Sequence, residues 1–392
     1  MKFLLPLLLI LPLTFLPDDS NKTDQDQSPI VIGATMSQSG SLSTQGIAAR
    51  NGYLLCQDHL NEQGGILGRD VEFLIYDDQS DSDTAIRLYE QLITEDNVDA
   101  IMGPYGSTLT EAVAPVTERH KMVHISPLAA TTSIWEQGRE YLFMVLPPAE
   151  LFLAGLIEMA DEKGLNRVAV IEQDALFPRA AGEGVTELAK EKGMRVVLRY
   201  TYPSGLNDFS AIIRLMELSD IEVVAMAASN LDDFITITRQ MKEMDIAPKM
   251  FGKSGAVDRF RDQLGDAADY VYGLSAWEPV LDNPGIDHFT ESYIETFGMN
   301  PSFHAAGAYG SCQLFAEAAE NAGSLDADDM RDVLLNLETQ TIFSNYAVDK
   351  RGYQTANRGL FIQWQNGEKV VVWPEDVATG EPRFPTPAWN ER

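Results

Sequence analysis

The chain has 392 residues, with 29 Lys and Arg against 59 Asp and Glu and a formal charge of −30. That balance argues against general nucleic-acid binding and against docking on an anionic membrane surface, because both need clustered cations. A hydrophobic content of 45% excludes an acidic disordered chain, and two cysteines exclude a disulfide scaffold or a four-cysteine metal site.

Met1-Lys2 precede an apolar run from Phe3 to Leu16, broken only by Pro6, Pro12 and Thr14. A basic start and a short apolar stretch read as a secretory signal over 1–17. No A-x-A triplet or cysteine follows, so cleavage and retention as a hydrophobic anchor both stay open. Residues 18–28 are polar and acidic and read as a disordered spacer.

Ile30 to Met36 is an apolar run suited to a buried strand. Helical periodicity follows from Thr44 to Leu60, then a strand from Val71 to Tyr76. The alternation continues with a helix over 83–95, a strand over 98–102, a helix over 107–120 and a strand over 122–125. The rhythm restarts after Pro147-Pro148. Helices are expected over 151–163, 182–192, 209–218 and 231–244, and strands over 167–171, 195–200, 222–227, 249–252 and 270–274. Strands alternating with helices imply βαβ units and parallel sheets, here in two α/β lobes. Residues 277–285 read as irregular, with helices over 288–297, 304–322 and 328–337. Residues 374–392 hold four prolines and read as an irregular tail.

Signals for catalysis are weak. His59, His120, His124, His288 and His304 are dispersed, and each reads as a surface or core histidine. No G-x-S-x-G elbow is present, and Gly252-Lys253-Ser254 matches only the end of a phosphate loop. No enzyme, cofactor or metal site is expected. Binding signals are better. In open parallel sheets ligands sit beyond the carboxyl ends of the strands, at helix N-termini. Two such junctions are rich in hydroxyls: 103–108, with Ser107, and 126–132, with Thr131. Free amides and hydroxyls there suit a carboxylate, although either residue could simply cap its helix.

Asn61-Glu62-Gln63-Gly64-Gly65-Ile66-Leu67-Gly68-Arg69, then Tyr76-Asp77-Asp78-Gln79-Ser80-Asp81, resembles the leucine/isoleucine/valine-binding protein family, type I periplasmic solute-binding proteins of ABC importers. Gly103-Pro104-Tyr105-Gly106-Ser107 and Ile125-Ser126-Pro127 match in order, and the likeness spans roughly 30–373. The resemblance implies an α/β fold of two doubly wound parallel-sheet lobes joined by three crossovers. Lobe I would comprise 29–147 and 284–345, and lobe II 148–276 and 350–373. It implies an extracytoplasmic, monomeric protein that closes on a small ligand and hands it to a permease. A sensing receptor of the same fold, tethered by the N-terminal segment, is the alternative.

The resemblance also implies ligand positions. Ser107 and Thr131 would hold a carboxylate, with Leu128, Ala129 and Ala130 supplying backbone. Gln45 and Phe177 stand where aromatics often cover the ligand, Ser229 or Asn230 matches a second-lobe contact, and Tyr105 and Phe303 would line the apolar part. Ser254 stands where amino-acid binders of the family carry an acidic partner for the ammonium. Asp232 or Asp233 could take that role. An amino acid, a related carboxylate or an amide therefore all fit as ligands. Cys56 and Cys312 both fall in the first lobe. They are expected as two buried, unpaired cysteines, although an oxidising compartment would permit a bridge.

Overall fold

The computed structural model describes residues 28–392. The leader and all but the last residue of the spacer lie outside the described residues. Among the described residues no helix is long and apolar enough to cross a membrane.

The first half of the chain builds a five-stranded sheet from β1 (Ile30–Met36), β2 (Val71–Asp77), β3 (Ala100–Met102), β4 (His124–Ser126) and β5 (Leu142–Met144). All its pairings are parallel, and the order is β2-β1-β3-β4-β5. β1 is buried on both faces, as an unbroken apolar strand between helical layers must be. Its connections are α1 (Ser43–Glu62), α2 (Ser82–Thr94) and α3 (Ser107–Arg119). Asp81 caps α2, its Oδ1 accepting the Thr84 amide at 2.8 Å.

The second sheet has seven strands in the order β14-β13-β10-β9-β8-β6-β7. Five of them are β6 (Arg167–Gln173), β7 (Arg195–Tyr202), β8 (Val223–Ala227), β9 (Met250–Lys253) and β10 (Tyr272–Ser275), and they are parallel. Their order, β7-β6-β8-β9-β10, repeats the winding of the first sheet. In each sheet the order reverses beside the first strand, at β1/β3 and at β6/β8. β13 (Leu360–Gln365) and β14 (Glu368–Trp373) extend the second sheet as an antiparallel hairpin. Asn366-Gly367 turns that hairpin with positive φ at both residues, as a two-residue hairpin turn requires.

The helices of this half are α4 (Ala154–Glu162), α5 (Leu176–Glu191), α6 (Ser210–Leu218), α7 (Leu231–Glu243) and α8 (Asp258–Leu264). α5 starts six residues earlier than its periodicity suggests. Pro178 is the third residue of the helix, where a missing N–H leaves no bond unmade.

After β10 the chain returns to the first sheet with α9 (Ile286–Phe297), α10 (Phe303–Ala322) and α11 (Ala327–Asn336). α10 lies along α1, and the two backbones come close at Gly52. A Cβ there would stand 2.2 Å from the Ala305 carbonyl oxygen. Gly52→Ala should therefore force the helices apart and cost about 1–3 kcal/mol by overpacking, read as a lower denaturation midpoint. Cys56 and Cys312 close the same seam with a disulfide. This corrects the expectation of two unpaired thiols: helical packing sets their Cα atoms 6.3 Å apart, within bridging range. A short hairpin, β11 (Thr339–Gln340) with β12 (Asn345–Tyr346), precedes β13.

Residues 374–392 contain only two short 3-10 turns, yet they pack on the second sheet's core. Trp389 is buried there and donates its indole N–H to the Ile246 carbonyl at 2.9 Å. The Gln363 side chain holds the Arg383 backbone from both sides, accepting its amide and donating to its carbonyl.

Candidate ligand-binding cleft

The segments that leave the carboxyl ends of the strands in both sheets line one cleft of about 650 Å³. This is where doubly wound sheets place ligands, because helix N-termini gather at the reversal of strand order.

On the first lobe, Gly106 precedes α3 with φ 86° and ψ 155°, a conformation suited to glycine. It carries no side chain to cap the helix, so the first amides of α3 remain free. Gly106, Ser107, Thr108 and Leu109 all line the cleft. The Ser107 hydroxyl oxygen accepts the amides of Ala130 and Thr131 at 3.1 and 3.3 Å. Its own proton is left to donate to a ligand. A helix N-terminus with free amides and a hydroxyl favours an anion.

The segment after β4 corrects the expected residue register. Tyr105 and Leu128 form a parallel bridge, so the chain there is extended and alternate residues face opposite ways. Leu128 and Ala130 line the cleft; Ala129 and Thr131 do not. Ala129 is fully buried, and the Thr131 hydroxyl is enclosed without a hydrogen-bond partner. In this segment the cleft wall is therefore formed by Ala130 and not by the Thr131 hydroxyl.

The remaining expected residues do meet in the cleft: Gln45, Tyr105, Phe177, Ser229, Asn230, Ser254 and Phe303 all line it. Phe177 packs edge-on against Phe152 with ring centroids 4.9 Å apart, forming an apolar wall. Asn230 caps α7, its side chain accepting the Asp233 amide at 3.0 Å. Ser254 turns its hydroxyl to the Ala228 backbone, accepting from the amide at 3.2 Å and donating to the carbonyl at 3.3 Å.

The cleft wall is wider than the expected set, and Phe152 and His304 are among the side chains that line it without a signal in the sequence. Each sits at a helix start, where 3.6-residue periodicity does not distinguish a cleft wall from a core.

The cleft has a definite electrostatic character. Among the described residues its lining holds Glu111, Asp174, Asp232 and Asp233 but no Lys or Arg. Arg139 engages Glu111 through both carboxylate oxygens, at 2.7 and 3.0 Å, and Arg179 pairs with Asp174 at 2.8 Å. Asp233 has no cationic partner. It is 5% exposed, and its Oδ2 accepts the Tyr202 hydroxyl at 2.9 Å and the Gln173 amide at 3.4 Å. Burial pushes the Asp233 carboxyl above its ordinary range, and hydrogen bonds from Tyr202 and Asn230 oppose the shift.

The two lobes already touch across the cleft. Gln45 Nε2 and the Tyr105 hydroxyl both donate to the Ser229 carbonyl, at 3.3 and 3.2 Å. Arg259 reaches Thr44 Oγ1 at 3.2 Å.

Two doubly wound lobes facing across such a cleft define a solute-binding clamp of the type I periplasmic binding protein fold. The chain belongs to the periplasmic binding protein family, whose family model matches residues 29–369. Leu/Ile/Val-binding protein homolog 7 of Brucella melitensis is 24% identical over 377 residues, covering 91% of this chain and 94% of that one. Homolog 8 of Brucella abortus is 26% identical over 378 residues, covering 91% and 93%. Among solved structures, the leucine-binding protein LivK of Thermotoga maritima superposes with a TM-score of 0.80 at 21% identity, covering 88% of this chain and 99% of that one. The isoleucine complex of LivJ from Streptococcus pneumoniae gives 0.79 at 23% identity, with 88% and 100% covered.

Proposed function

We propose that this protein closes its lobes outside the cytoplasm around a zwitterionic α-amino acid and delivers it, chemically unchanged, to the permease of an ABC importer. One observation carries the reading: among the described residues, the cleft offers an uncapped helix N-terminus on one lobe and, on the other, the buried Asp233 carboxylate without a cationic partner, with no Lys or Arg in the lining. A ligand carboxylate suits the α3 amides and Ser107. A ligand ammonium suits Asp233, which takes over the role that Ser254 leaves open. A simple carboxylate would leave Asp233 uncompensated, and an amide would leave the helix terminus without its anion. The names of the Brucella relatives and of the leucine-binding protein LivK, and the isoleucine bound in the LivJ structure, agree with an amino-acid ligand. Closure is a population shift toward the state in which both lobes touch the ligand.

Calorimetry with an amino acid, its des-amino acid and its carboxamide tests the reading. Only the zwitterion should bind tightly. Equal affinity for the des-amino acid would refute the role of Asp233. Ser107→Ala removes a buried hydrogen bond to a charged group, worth about 1.5–3 kcal/mol. It should weaken binding about 10- to 150-fold with the fold intact. Unchanged affinity would move the carboxylate elsewhere.

A further inference from the structure

Two polar side chains in the cleft have no task in binding a zwitterion's charged ends. His304 is the second residue of α10 and is 5% exposed. Its ring stacks on Phe303 at 3.9 Å and meets Tyr105 edge-on at 5.3 Å, so its position is fixed. No protein group among the described residues hydrogen-bonds to it. Burial holds the imidazole neutral, its pKa pushed down to about 3. A neutral imidazole presents one N–H donor and one acceptor nitrogen.

Gln45 is the second side chain. It is 6% exposed, and its Oε1 is buried without a partner. The bond from Nε2 to the Ser229 carbonyl sets this orientation, since the flipped amide would set oxygen against oxygen. Tyr105 donates to the same carbonyl and touches His304, so all three side chains share one corner of the cleft. The Tyr105 proton is thereby engaged. What remains open is an acceptor on Gln45 and a donor and an acceptor on His304.

An aliphatic group pushed into this corner would leave these atoms without partners and return nothing. A charged group would find no countercharge on either residue. A hydroxyl or a carboxamide can donate to Gln45 and exchange a hydrogen bond with His304. We propose that Gln45 and His304 form a neutral hydrogen-bonding corner that selects α-amino acids with a hydroxyl or carboxamide side chain over aliphatic ones. The inference rests on the zwitterion reading above and adds the side-chain class to it.

Isosteric ligand pairs test it: threonine against valine, and asparagine against leucine, titrated into the full chain. The polar member of at least one pair should bind about 5- to 150-fold more tightly. His304→Phe keeps the stacking and should erase that preference. Gln45→Met reads the same corner should the histidine variant fail to fold. A preference for the aliphatic members, or a polar preference that survives in the folded variants, overturns the selectivity corner and leaves the zwitterion reading standing. No binding of any α-amino acid overturns both.

Discussion

Asp233→Asn should lower the affinity for an ammonium-bearing ligand by about 100-fold or more and should raise the melting temperature at neutral pH. The first effect follows from leaving a buried ligand ammonium without its anion, which costs about 3–5 kcal/mol. The second follows from the sign of the pKa shift. Burial raises the Asp233 carboxyl above its ordinary value, so the folded protein favours the protonated form. That contribution is present below the ordinary carboxylate range and is lost as pH rises through the raised value. At neutral pH the buried charge is a cost, and asparagine removes it while keeping an acceptor for the Tyr202 hydroxyl at 2.9 Å. The stability difference between the two proteins should vanish in acid. Ligand affinity of the parent should fall as pH drops through the raised value. Melting curves and titrations across pH read both trends. A variant that binds as tightly as the parent would place the ammonium elsewhere.

Removing the disulfide should be the most damaging covalent change. The Cys56–Cys312 bridge spans 256 residues of sequence. Closing a long loop restricts the unfolded chain, and loss of such a bridge typically costs about 2–5 kcal/mol. A Cys56→Ser, Cys312→Ser double variant should melt several degrees below the parent. Its ligand affinity should be unchanged at temperatures where it is folded, because neither cysteine lines the cleft. Alkylation of the unfolded parent should add no mass without reductant and two labels with it. Two labels without reductant would contradict the bridge.

The alternation of strand and helix was legible because its strands are buried on both faces and read as unbroken apolar runs, β1 and β8 most clearly. β5 was missed because three residues, Leu142–Met144, carry no period. The β13–β14 hairpin was missed although Asn366-Gly367 between two apolar segments is the strongest short-range hairpin signal. Most of the cleft was legible through the loops that follow strands. The exchange of Thr131 for Ala130 shows the limit, because one residue of register in an extended segment turns a side chain to the other face. The disulfide was not legible from spacing, since only the packing of α10 on α1 brings the two cysteines into range. The resemblance places Gln45 over the ligand and His304 reads as a surface or core histidine; the partnerless Gln45 oxygen and His304 ring are properties of the packed cleft alone.

The seam between α1 and α10 also orders events in time. Residues 154–275, from α4 to β10, hold five of the second sheet's strands in one uninterrupted stretch. They can collapse as soon as they are available and then accept the β13–β14 hairpin. The first lobe cannot do so: the buried face of α1 has no cover until α10 arrives, about 250 residues later. Long-range closure of that kind is slow, because loop entropy must be lost before any contact rewards it. The first lobe therefore cannot complete its α1–α10 seam until the chain has been made as far as Ala322. The Cys56–Cys312 bridge then ties together the two helices whose meeting completes the first lobe.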